Sequence, residues 1–201
     1  FEIWVLNDIK YGKNLRAVKK DETVTRHCPN MHGSVKVLEK ELHKGVFCKK
    51  CKLLQLKNSF DSAEMYGDNY GYMSSLNKSM FNHLKYKVKK LQRKVSLKSH
   101  ETVIDIGSND GTFLSFFSRK LNLVGIDPTI KKFSKFYRKD ILKVSSFFSY
   151  DVLKNIIKKK AKLITSIAMF YDLEDPIKFA KDVYALLDKN GVWHLELSYM
   201  P

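Results

Sequence analysis

The sequence predicts an α/β fold, a parallel sheet covered by helices, preceded by a small strand-rich segment and a helical linker. Three observations carry that expectation. From Glu101 onward, short apolar runs alternate with amphipathic stretches, the rhythm of strand-helix-strand units. A turn bounded by Gly107 and Gly111 lies where an apolar strand meets a helix. Cys28, Cys48 and Cys51 all fall before Phe60, which sets the first part of the chain apart in composition.

Those shifts give three stretches, 1–60, 61–100 and 101–201. The middle one opens on the aromatic string Tyr70-Gly71-Tyr72-Met73-Ser74-Ser75 and leads into a helical pattern through Met80, Leu84, Val88 and Leu91, with lysines on the outer face. In the last stretch, Thr102 to Ile106 reads as a buried strand and Gly111 to Phe117 opens a helix. Leu123 to Asp127 is a second strand, followed by a helix over 130–137 and a weaker strand at 144–147. A helix over 150–159 precedes a strand at 161–168. Pro176 begins a helix to Leu187, and Gly191 to Leu197 is the final strand.

Composition excludes several classes. A chain of 201 residues with 44% hydrophobic and 29% charged residues is neither disordered nor collagen-like. No apolar run approaches the ~18 residues of a membrane span, and Phe1 to Trp4 lack the basic start of a secretory leader. Three cysteines are too few for a disulfide framework, so the expected setting is a reducing one, the cytoplasm, with no membrane partner. The net charge of +16 invites a nucleic-acid partner, but only five of the 37 basic residues are Arg, the side chain that forks onto phosphates and bases. Nucleic acid is therefore the disfavoured partner.

The run Asp105-Ile106-Gly107-Ser108-Asn109-Asp110-Gly111 carries the most information. Glycines let the backbone turn sharply and approach a ligand, and the following helix start offers unpaired N–H groups. Asp127 ends the next strand 20 residues after Gly107, the separation at which a carboxylate reaches the ribose hydroxyls of a bound nucleotide. The Gly-x-x-x-Gly spacing departs from dinucleotide and phosphate-loop patterns, so a ligand with adenosine and no pyrophosphate fits better. S-adenosylmethionine (SAM) is such a ligand. The expected cofactor set is Asp105, Gly107, Ser108, Asn109, Asp110, Gly111, Asp127 and Pro128, with Ala168 and Met169 at the end of a neighbouring strand. Met169 and Phe170 are expected on the adenine side, where core packing would also explain them.

Val103 to Phe113, Ser166 to Pro176 and Trp193 to Pro201 together resemble class I methyltransferases, and more narrowly the nucleotide-sugar C-methyltransferase family. The resemblance implies a Rossmann-like sheet binding SAM, an aromatic linker of the type Tyr70 to Ser75, an amino-terminal zinc-binding domain and a further carboxy-terminal domain. Phe47 to Leu56 resembles the second half of the family's zinc signature. That signature has two Cys-x-x-Cys pairs, whereas upstream of Cys48 this chain offers only His27-Cys28 and His32. Either Cys48 and Cys51 join Cys28 and a histidine around zinc, or the knuckle is empty. The sheet is expected to stop after its fifth strand, as in a fragment lacking the carboxy-terminal domain.

By the same resemblance, the substrate is a nucleotide-linked keto sugar or similar small molecule, methylated on carbon. Tyr70 and Tyr72 resemble the position that faces the sugar, although plain aromatic packing explains them too. Asp172 follows the fourth strand at the rim where open sheets bind ligands, and is a candidate for acceptor chemistry. Asp172 or Asp175 would otherwise cap the helix at Pro176. An oxygen or nitrogen acceptor, or a non-catalytic basic nucleic-acid-binding module, are the alternatives.

Overall fold

The computed structural model describes residues 23–27, 34–38, 45–47, 54–56, 62–67 and 70–197. The chain divides into two units, Phe1–Phe60 and Asp61–Pro201. In the first, β1 (Thr23–His27) pairs antiparallel with β2 (Ser34–Leu38), and β3 (Gly45–Phe47) pairs antiparallel with β4 (Leu54–Leu56). Cys28 follows β1 in sequence, and Cys48 and Cys51 fall in the connection from β3 to β4. All three lie outside the described residues, as does the zinc site expected of them.

The second unit opens with α1 (Ser62–Tyr66) and α2 (Lys78–Lys94). Asn77 starts α2 by accepting from the Ser79 and Met80 amides at 2.9 and 3.2 Å. Leu84, Val88 and Leu91 recur at i, i+4 and i+7 and are buried, while Lys85, Lys89 and Lys90 face solvent. Arg93 and Lys94 fall in the last turn, where the carbonyl end of the helix favours positive charge.

Five strands follow: β5 (Thr102–Ile106), β6 (Asn122–Ile126), β7 (Ile141–Val144), β8 (Ala161–Ile167) and β9 (Leu187–Glu196). They pair in parallel in the order β7-β6-β5-β8-β9. The direction of winding reverses between β5 and β8, which opens a crevice at their carboxyl ends. Short helices connect them: α3 (Thr112–Ser115), α4 (Ile130–Phe133) and α5 (Tyr150–Leu153), with α6 (Pro176–Leu186) the longest.

Alternation along β5 divides the core. Val103 joins Phe113, Leu123 and Leu163 against the buried face of α2. Ile104 and Ile106 join Val124, Ile126 and Ile164 against Leu153, Phe179, Val183 and Leu186. The sheet is covered on both faces, which explains why its central strands read as continuous apolar runs.

The element types agree with the sequence reading and several boundaries do not. The helix expected over 130–137 is α4 followed by a 3₁₀ turn at Ser134–Phe136. The break lets Tyr137 turn inward to hydrogen-bond the glycine turn. The third strand in sequence lies at Ile141–Val144 rather than 144–147, because Ile141 and Val144 are the residues that bury when paired with Leu123 and Ile126. The helix expected to Lys159 ends at Leu153; continued, it would set Lys154 and Lys158 four residues apart on one face, where like charges repel. Helix α6 ends one residue early, and β9 begins four residues before Gly191, with a register break between Leu187 and Val192.

Candidate functional site

The cavity of about 410 Å³ at the switch point lies within the roughly 300–1,000 Å³ typical of small-ligand sites. Its floor is the turn after β5. Gly107, Asn109 and Gly111 have φ of +74°, +51° and +77°, left-handed values that glycine adopts freely and asparagine tolerates. The Gly107 amide donates to the Ile126 carbonyl at 2.9 Å, tying the turn to β6. A Cβ at Gly107 would stand 3.3 Å from the Met169 side chain, and one at Gly111 would stand 2.7 Å from the Tyr137 ring.

Asp127 points into this turn. Its Oδ2 accepts the Asn109 amide at 2.9 Å, and its Oδ1 accepts both the amide and the hydroxyl of Thr129, at 2.7 and 2.5 Å. A carboxylate oxygen accepts about two hydrogen bonds, so Oδ2 keeps a lone pair for a ligand hydroxyl. Asp105 is 3% exposed and lines the same floor. Burial pushes its carboxyl up to about 7, the Asp127 charge adds to the rise, and the Thr165 hydroxyl, donating at 2.6 Å, opposes it.

A strap over Tyr70–Leu76 crosses beside the turn. The Ser74 amide donates to Asn109 Oδ1 at 3.0 Å, and Asn109 Nδ2 donates back to the Tyr72 carbonyl at 3.0 Å. The Ser75 amide donates to Asp110 Oδ2 at 2.9 Å, and Lys132 Nζ donates to the Tyr70 carbonyl at 2.9 Å. The strap thereby holds Tyr70 and Tyr72 on the cavity wall, their ring centroids 6.5 Å apart. Tyr66, from α1, lies 5.5 Å from Tyr70 and donates its hydroxyl to Asp172 Oδ2 at 2.6 Å. Asp172 sits at the rim with one side open to solvent. Burial of its inner side lifts its carboxyl, against the Tyr66 hydrogen bond. Burial likewise raises the Tyr66, Tyr70 and Tyr171 phenols, with nearby carboxylates adding to the effect.

Of the residues expected around the cofactor, Asp105, Gly107, Ser108, Asn109, Asp127, Pro128, Ala168 and Met169 line the cavity, together with Tyr70, Tyr72 and Asp172. Asp110 and Gly111 do not. Asp110 accepts the Thr112 amide at 3.1 Å on one oxygen and the Ser75 amide on the other, joining helix start to strap. Gly111 makes room for Tyr137. Phe170 packs on Phe179 and Trp193, each with centroids 5.7 Å away, and Phe147 and Phe148 stand on the cavity wall instead. The helix cap is Asp175, which accepts the Lys178 amide at 2.8 Å. Sequence reading missed Tyr66, Phe147, Phe148 and Tyr137. The Tyr137 hydroxyl donates to the Asn109 carbonyl at 2.8 Å and meets Ser108 Oγ at 2.7 Å. The hydrogen bonds of Tyr66 and Tyr137 span 28 to 106 residues of chain, and no local pattern announces such pairings. Among the described residues no cluster of His, Cys, Asp and Glu could hold a metal ion, and no helix is long and apolar enough to cross a membrane.

Parallel strands wound in this order, with a glycine turn and an acidic partner at the reversal, define a Rossmann-like domain for a nucleotide cofactor. Residues 77–200 match the methyltransferase domain family, and the chain belongs to that family. It is 24% identical over 158 residues to the C-methyltransferase NovU of Streptomyces niveus, covering 77% of this chain and 37% of that protein. It is 32% identical over 115 residues to a tRNA U34 carboxymethyltransferase of Campylobacter jejuni, covering 51% of this chain and 37% of the relative. The chain thus spans little more than a third of either relative. A solved structure from Methanococcus maripaludis, assigned as an S-adenosyl-L-methionine-dependent methyltransferase, shares the fold with a TM-score of 0.50 at 17% identity. That match covers 63% of this chain and 61% of the other.

Proposed function

We propose that this domain binds SAM in the cavity beneath β5, β6 and β8 and serves methyl transfer to carbon of a nucleotide-linked keto sugar. The observation that carries the cofactor assignment is the hydrogen bond from the Asn109 amide to Asp127, which holds a carboxylate with one free lone pair over a turn that glycine keeps open. Asp105 would meet the cofactor's ammonium, Asp127 a ribose hydroxyl, and Pro128, Phe147 and Phe148 the adenine ring. Bound there, the cofactor supplies an activated methyl group on a positively charged sulfur.

The remaining chemistry falls to residues at the rim. A carbon beside a ketone must lose a proton, and Asp172, at the rim with its carboxyl raised by burial, is the acceptor for it. The enolate oxygen that results needs a donor, and the Tyr70 and Tyr72 hydroxyls stand on the same wall. The 24% identity to NovU supports carbon as the methyl acceptor. Zinc held by Cys28, Cys48 and Cys51 belongs to this reading, supported by the Cys-x-x-Cys spacing between two paired strands. So does a cytoplasmic setting, supported by the cysteine count alone.

Calorimetry with SAM and with S-adenosylhomocysteine (SAH) tests the cofactor assignment. Gly107→Val should abolish the binding heat while circular dichroism stays native, because a branched side chain at positive φ fills the turn. Undiminished heat in that variant overturns the reading. A second reading, an RNA acceptor, is favoured by the 32% identity to the tRNA-modifying enzyme and by the net charge of +16. It requires RNA affinity that falls steeply as salt rises.

A further inference from the structure

The chain carries 37 basic residues, yet among the described residues no Lys, Arg or His lines the cavity. Its charged lining is Asp105, Asp127, Asp172 and Glu174. Asp105 and Asp127 belong to the buried floor. Asp172 and Glu174 follow β8 at the rim, where Tyr66, Tyr70, Tyr72 and Ser62 add hydroxyl groups. Lys132 reaches the strap at the Tyr70 carbonyl and does not line the cavity. Four carboxylates converging on one cavity attract a cation and oppose an anion, since like charges brought together away from bulk water repel strongly.

The rim also shows how a neutral group would be read. Tyr66 donates to one oxygen of Asp172 at 2.6 Å, so the carboxylate is held in one orientation by a residue 106 positions away. Its other oxygen takes part in no further hydrogen bond among the described residues, so it can accept from a ligand hydroxyl or amine. The rings of Tyr66, Tyr70 and Tyr72 form an apolar wall suited to the face of a ring.

We infer that the acceptor end of the cavity takes a ring bearing hydroxyls or an amine and excludes one bearing a carboxylate or phosphate, with Tyr66 and Asp172 as the pair that reads it. This rests on the methyl-transfer reading above and adds a rule of charge to it: any phosphate of the acceptor stays outside the cavity. UDP-glucose, UDP-glucosamine and UDP-glucuronate share one anionic handle and differ in the sugar, so they separate the handle from the ring.

The test titrates each of the three into the SAH-saturated chain and follows saturation transfer to the sugar protons by NMR. UDP-glucosamine, whose ammonium meets the carboxylates, should bind more tightly than UDP-glucose, and UDP-glucuronate about tenfold more weakly than UDP-glucose, as a carboxylate set against carboxylates requires. Asp172→Asn should narrow that gap to about threefold by removing charge while keeping shape. Tyr66→Phe should weaken UDP-glucose and leave SAH affinity unchanged. Affinity for UDP-glucuronate equal to that for UDP-glucose, a gap left undiminished by Asp172→Asn, or no transfer to any of the three sugars overturns the inference. The binding heat of SAH, measured on the same sample, tells whether the cofactor assignment falls with it.

Discussion

The floor and the rim of the cavity are built in opposite ways. At the floor, Asp105, Ser108, Asn109 and Asp127 are all buried and braced by hydrogen bonds, Asp105 to Thr165, Ser108 to Tyr137, Asn109 to the strap, and Asp127 to Thr129 and the Asn109 amide. At the rim, Tyr72 and Asp172 are open to solvent, and Asp172 is oriented by a hydroxyl from a distant helix. The floor is a buried turn braced from several sides, and the rim is an arrangement of exposed and half-exposed side chains. Substitutions that crowd the floor from behind should therefore register as lost stability, and those facing the cavity as altered ligand binding.

The largest effect is expected at Gly111. A Leu there would place its Cβ 2.7 Å from the Tyr137 ring on a backbone of positive φ, and such strain costs about 3 kcal/mol or more. Scanning calorimetry should show melting about 10 °C lower, by the usual relation for chains of this size. A native melting point would mean that the floor is not the rigid part.

Next comes Asp105. Its carboxyl has an ordinary value of 3.8 and a folded one of about 7. Between those values the unfolded chain gives up a proton that the folded chain keeps, so this group's contribution is fully present below the ordinary value and is lost as pH rises through the folded one. The slope is at most about 1.4 kcal/mol per pH unit. Asp105→Asn should remove it, seen as a flatter dependence of urea denaturation on pH across that window. A variant with the wild-type slope would show that Asp105 is not the group responsible.

The smallest effect on stability is expected at the rim. Asp172→Asn should shift stability by no more than about 0.5 kcal/mol, as at other exposed positions, while changing the choice of ligand at the rim. A large fall in melting temperature would erase the distinction between the two ends of the cavity.

The floor was legible in the sequence because its parts are close together. Asp105 to Gly111 form one continuous run, and Asp127 sits at the end of the next strand, so spacing alone brought them to one place. The outcome differed in detail: Asp110 and Gly111 shape the turn from behind instead of facing the cavity. The rim was legible only in part. Tyr70, Tyr72 and Asp172 could be named, but Tyr66 could not, since its hydrogen bond to Asp172 depends on α1 meeting the end of β8. The third strand in sequence was shifted for a related reason, because pairing with β6 decides which residues bury and short apolar runs do not.

The strap is gripped mainly through its main chain. Asn109, Asp110 and Lys132 hold it by the amides of Ser74 and Ser75 and the carbonyls of Tyr70 and Tyr72. Anchoring therefore makes little demand on which side chains the strap carries, so its residues can drift through evolution while its path is kept. A domain made this way can acquire new acceptors by rewriting one short segment, with the cofactor's seat left untouched.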